Sequence, residues 1–172
     1  IANTSDTQTA IFEFNELNCV WQHRSWGTPT DPEYPWAFFI YGEKGTFKGS
    51  VFQYEFIPNN GGKTIKREVV YERAQYPEDL KEEGIELHTA PATRGHMLDL
   101  LDSIENDRLP VADVEQGHIS TASCIMANLS MGLNRPLVYN PQKQIIVDDP
   151  KATSLLKRKY RGPWQHPSKS IL

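Results

Sequence analysis

The side chains that could do chemistry fall in three places: the histidines His88, His96 and His118, an aromatic and basic run at Trp21, His23, Arg24 and Trp26, and a closing cluster of Tyr160, Arg161 and Trp164 around Gly162 and Pro163. A structural zinc site takes about four ligands and a catalytic one about three, brought together at short characteristic spacings. The histidines match no such spacing and no cysteine lies among them, so they read as hydrogen-bonding groups in or beside helices, and no metal is expected. Trp21, His23, Arg24 and Trp26 combine flat apolar surface with polar edges, which suits a sugar face or a protein interface. The closing cluster cannot sit inside a regular element, because Gly-Pro interrupts it. An arginine and aromatic rings on a constrained loop can reach a ligand, so Tyr160, Arg161 and Trp164 are substrate-binding candidates. The competing expectation is that Trp164 packs on the helices to bury its indole. Asp99 and Asp102, three apart on a helix, are expected to face water, and Cys19 and Cys124, each in an apolar periodic stretch, are expected to act as small buried hydrophobes.

These groups need elements to hold them. With 172 residues, 38% of them hydrophobic and 23% charged, and a net charge of -4, the chain has the composition of an ordinary folded domain and is expected to form one over its whole length. No nucleic-acid or membrane partner is expected: the basic run Lys157, Arg158, Lys159 and Arg161 is short and reads as a solvated turn, and no apolar stretch approaches the ~20 residues that span a bilayer. The first third has strand composition. Residues 9–14 and 19–26 form a hairpin pattern, and period two puts Cys19, Trp21, His23 and Ser25 on one face and Val20, Gln22, Arg24 and Trp26 on the other. A meander over residues 36–57 follows, turning at Gly42 to Gly45, and the Asn59-Asn60-Gly61-Gly62 turn leads to a further strand.

From Thr89 the period becomes helical. Met97, Leu100, Leu101 and Ile104 share one helix face, and Pro110 closes that segment. Asp113 with Gln116 has the form of a capping box opening a second helix, along which Ile119, Ala122, Met126, Leu129 and Leu133 recur at spacings of three and four. Gly132 and Asn134 mark its end, with Pro136 just beyond. A short hairpin around Asn140-Pro141 and a final helix started by Pro150 complete the chain. Strands first and helices after, without βαβ alternation, predict an α+β fold: an open, mainly antiparallel sheet with helices packed on one face.

The helical half also resembles a known family. The stretch from Arg94-Gly95-His96 through Asp99 and Ile104, followed by Leu109-Pro110-Val111-Ala112-Asp113-Val114-Glu115-Gln116-Gly117-His118, is similar to the signature of the C-terminal domain of the glucose-fructose oxidoreductase/inositol dehydrogenase (Gfo/Idh/MocA) family. Residues 125–130 and the closing Tyr160-Arg161-Gly162-Pro163-Trp164 look like the same subfamily. Residues 6–14 resemble its first sheet strand and Tyr41-Gly42-Glu43-Lys44-Gly45-Thr46-Phe47 its strand turn.

The resemblance implies a dihydrodipicolinate-reductase-like C-terminal domain beside an N-terminal Rossmann domain that binds NAD or NADP, with a sugar, cyclitol or related polyol between them. It also implies subunit packing through the open sheet, which favours an interface role, and homo-oligomer formation, for the Trp21 to Trp26 run. The family's Glu-Lys-Pro and Asp-x-x-x-His motifs are absent from this sequence, as is any Gly-x-Gly-x-x-Gly turn. No catalytic or cofactor-binding residue is therefore assigned, and the chain is expected to be inactive alone. Its first residue, Ile1, suggests a processed or truncated piece. The family is compatible with a cytoplasmic or an exported, periplasmic bacterial protein. A self-standing carbohydrate-binding or scaffolding module is the alternative reading.

Overall fold

The computed structural model describes residues 5–164; Ile1 lies outside them. The backbone falls into two compact units, Ile1–Val111 and Ala112–Leu172, each described by itself.

The first unit holds two antiparallel ladders. β1 (Thr7–Glu13) and β2 (Asn18–Arg24) form a separate hairpin, in register Ala10 to Trp21 and Ile11 to Val20. Directly opposed residues share a face, so Phe12, Cys19, Trp21 and His23 lie on one side and Ile11, Val20, Gln22 and Arg24 on the other. β3 (Ala37–Gly42), β4 (Gly45–Ser50), β5 (Gln53–Pro58) and β6 (Ile65–Glu68) form a four-stranded meander in sequence order. One of its faces is aromatic: Phe38, Phe47 and Tyr54 stack in a row, with centroids 5.8 and 5.6 Å apart. Gly49 makes that row possible, because a Cβ there would come within 2.6 Å of the Phe38 ring. The other face carries Phe39, Lys48 and Glu55, and the proline-rich segment before β3 lies over it, burying Tyr34 to 3% exposure.

A single 3₁₀ turn, Pro77–Leu80, precedes α1 (Ala90–Glu105). So short an element carries no periodic signal that a sequence reading could detect. Arg94, in the second turn of α1, ties the irregular segment to the helix. It donates to both Asp79 carboxylate oxygens, at 3.1 and 2.9 Å, and to Glu72 at 3.1 Å, while its guanidinium lies 3.8 Å from the Tyr76 ring centroid.

In the second unit, α2 (Val114–Leu133) starts where the capping signal places it. The Asp113 carboxylate accepts from the Glu115 and Gln116 backbone N–H groups at 2.7 and 3.0 Å, and Asn134 closes the helix in the left-handed conformation at φ 53°. β7 (Tyr139–Asn140) and β8 (Ile145–Ile146) form a minimal hairpin, and α3 (Pro150–Ser154) packs on it. Ile146 at 2% exposure and Ala152 at 0% make the buried centre. Thr153 Oγ1 accepts from the Ile146 N–H at 3.0 Å and donates to the Ile146 carbonyl at 3.1 Å, and Asp149 caps α3 through the Ala152 N–H at 2.9 Å.

The α+β class and antiparallel pairing agree with the sequence reading. Three expectations need correction. The single open sheet is divided among three ladders of two, four and two strands. Cys19 and Cys124 are exposed, because the faces that carry them are open to solvent. Asp99 and Asp102 do not simply face water. The turn after α1 folds Arg108 back so that it donates to Asp99 at 2.7 Å and pairs with Asp102, and Asp99 also accepts from the Val111 N–H at 2.7 Å. Arg108 holds the Asp99 carboxyl below its ordinary range.

Candidate ligand and assembly surfaces

The hairpin divides its four candidate residues in pairs. On one face the Trp21 and His23 rings stack 5.9 Å apart and 13° from parallel. On the other, Arg24 donates to the Thr28 carbonyl at 2.7 Å and its guanidinium stands 5.8 Å from the Trp26 ring, whose indole N–H donates to Thr7 Oγ1 at 2.8 Å. The polar edges of Arg24 and Trp26 are thus satisfied within the hairpin while the flat apolar surfaces stay open. Trp21, Trp26, Ile11, Val20, Phe14 and Leu17 are all exposed. Among the described residues no further strand joins this hairpin, and a two-stranded pair by itself is marginal in water. That arrangement is suited to contact with another protein surface.

At the chain's closing segment the backbone turns back, with the Trp164 N–H donating to the Arg161 carbonyl at 3.1 Å across a cis Gly162–Pro163 bond. Trp164 is 70% exposed, so the alternative in which its indole is buried on the helices does not hold. Tyr160 is also exposed, and Arg161 lies on the same turn. Beyond that backbone bond, the three are joined by their nearness in the chain. His88 lies against Phe52, with ring centroids 4.6 Å apart. Among the described residues no group of three or more His, Cys, Asp or Glu side chains could hold a metal ion.

Two polar clusters were not read from the sequence. Lys48 donates to Asp31 at 2.9 Å and lies 3.9 Å from Glu55, its register partner, with its ammonium 5.3 and 5.9 Å from the Tyr34 and Phe39 ring centroids. The Lys48 hydrogen bond holds the Asp31 carboxyl below its ordinary range, and burial pushes the Tyr34 phenol up. Period two along β4 marks Lys48 as a facing residue, but nothing local announces Asp31, 17 positions away. The Arg94 clamp likewise joins residues 15 and 22 apart. Each cluster fixes an irregular segment onto a regular element.

Residues 63–166 match a family model described as the oxidoreductase family, C-terminal alpha/beta domain, of the Gfo/Idh/MocA group. The match covers more than half of the chain, and the chain belongs to this family as its C-terminal domain. It takes in β6, the Arg94 clamp, all three helices and the Tyr160 to Trp164 turn, while β1 to β5 precede it. Searches of curated proteins and of solved structures gave no match. Among the described residues no helix is long and apolar enough to cross a membrane.

Proposed function

We propose that this chain is the substrate-side and oligomerisation domain of an NAD(P)-dependent oxidoreductase acting on a sugar, cyclitol or related polyol. Nucleotide binding and the proton-transferring residues are supplied by a Rossmann domain outside these residues. The observation that carries the reading is the family match over residues 63–166, which includes the aromatic and basic turn offered as the substrate contact. The open hairpin supports the assembly role: its apolar faces, left uncovered by any described element, are the kind of surface a second subunit covers. Isologous packing of two such hairpins would satisfy both copies at once.

Light scattering coupled to size exclusion, over a range of concentrations, tests this assignment. A dimer or larger assembly that dissociates in a Trp21→Ala variant is expected. A monomer at every concentration would remove the assembly role and return the hairpin to the ligand-surface reading. Mixed with NAD or NADP and a polyol, the chain alone is expected to produce no reduced nicotinamide; turnover would show that it carries its own catalytic set.

A further inference from the structure

Residues 151–164 contain five cations, Lys151, Lys157, Arg158, Lys159 and Arg161, and no carboxylate, in a chain whose net charge is -4. Several other cations of the protein meet carboxylates: Lys48 with Asp31, Lys66 with Glu33, Arg94 with Asp79, Arg108 with Asp99 and Arg135 with Asp149. Among the described residues, Lys157, Arg158, Lys159 and Arg161 make no ion pair. All four are exposed. The run is anchored at its start, because α3 is held to β8 by Ala152 and Thr153. At its end, the Arg161–Trp164 turn sets a guanidinium and a largely exposed indole on the same short loop.

We infer that this turn is a subsite for an anionic polyol, a ring compound whose oxyanion pairs with Arg161 and whose C–H face lies on Trp164. The inference rests on the polyol reading above and narrows it to acidic substrates. The chemistry follows from the groups present. A guanidinium fork fits the two oxygens of a carboxylate or phosphate, and Lys157, Arg158 and Lys159, which make no ion pair among the described residues, add positive potential. An indole face offers flat apolar area to a saturated ring. A neutral polyol would use the indole and leave the charge unanswered. An inorganic anion would use the charge and leave the indole bare. Carboxylated and phosphorylated sugars share the oxyanion and the ring, and they are distinguished by titration.

The test follows the indole N–H resonance of Trp164 in the full chain, assigned with Trp164→Phe. Glucuronate, glucose 6-phosphate, glucose and inorganic phosphate are titrated at constant ionic strength. Saturable shifts are expected with glucuronate, glucose 6-phosphate or both, with glucose weaker by about tenfold or more, as loss of one charge-assisted hydrogen-bonded contact implies. Arg161→Gln should weaken the acidic ligand by a similar factor, and Arg161→Lys should restore part of the loss, since it keeps the charge without the fork. Glucose binding as tightly as glucuronate would overturn the anionic assignment and leave the polyol reading standing. Inorganic phosphate matching glucose 6-phosphate would reduce the turn to a simple cation patch. No saturation by any probe would remove the subsite altogether, while the light-scattering result judges the assembly role independently.

Discussion

The β1–β2 hairpin and the β7–β8–α3 knot are both short antiparallel pairs, yet they end in opposite states. In the hairpin seven residue pairs are in register and each face carries an exposed apolar side chain, Ile11 at 67% on one and Trp21 at 45% on the other. In the knot only two pairs are in register, and Ile146 is almost completely buried. Ladder length is therefore not what separates them. The knot has a third element returning onto it: Asp149 starts α3 within three residues of Ile146, and Thr153 closes both backbone groups of Ile146. Among the described residues no third element closes on the hairpin in this way. A pair of strands gains stability from the layer it packs on more than from its own hydrogen bonds. The contrast assigns the β7–β8–α3 region to internal stability and leaves the hairpin as the surface on which the proposed contact between molecules rests.

That division can be broken in order of expected size. Ile146→Ala should cost about 2–5 kcal/mol, the range for removing a buried aliphatic side chain, read as a fall in the urea midpoint of the second unit. A change within the scatter of surface substitutions would show that the knot is not a stability centre. Thr153→Val should cost about 1–3 kcal/mol in the same experiment, because the buried Ile146 N–H loses the Thr153 hydroxyl and its carbonyl keeps only the Asp149 N–H.

Acid sharpens the comparison further. The Ala152 N–H and Arg135 together hold the Asp149 carboxyl below its ordinary value of 3.8. Its folded pKa is thus lower than its unfolded one, so the stabilisation is fully present above the unfolded value and is lost as pH falls through the folded value. The knot should loosen in that acidic range, and Asp149→Asn should flatten this part of the pH profile measured by amide exchange at Ile146. A profile unchanged by the substitution would place the acid sensitivity elsewhere. The smallest effect on folding is expected for Trp21→Ala, within about 0.5 kcal/mol as for surface substitutions generally. The same variant should nevertheless weaken self-association, and a large loss of monomer stability would mean that the hairpin has an internal role after all.

Elements whose instructions are local were legible in advance. α2 was readable from Asp113 through Leu133 because its cap, its three-and-four spacing and its left-handed Asn134 are all neighbours in the chain. The two faces of β2 were readable from period two, and the register keeps Trp21 with His23 and Arg24 with Gln22 as the alternation required. That Tyr160, Arg161 and Trp164 lie outside any regular element was legible from Gly162 and Pro163. The exposure of Trp164 was not. Whether an indole is covered depends on what else reaches it, and no local pattern encodes that.

The sequence by itself determined the α+β class, the positions of the strands and helices, the family and the absence of its nucleotide-binding and acid/base motifs. These rest on periodicity, capping and motif, all properties of residues close along the chain. Only the tertiary structure decided that the strands form three ladders, that Arg94 closes on Glu72 and Asp79, that Arg108 returns to Asp99, and that the knot is buried while the hairpin is open. Each of these joins groups distant in sequence, or depends on whether a further layer arrives. Pairing and burial are properties of the folded arrangement, and composition constrains them without choosing among them.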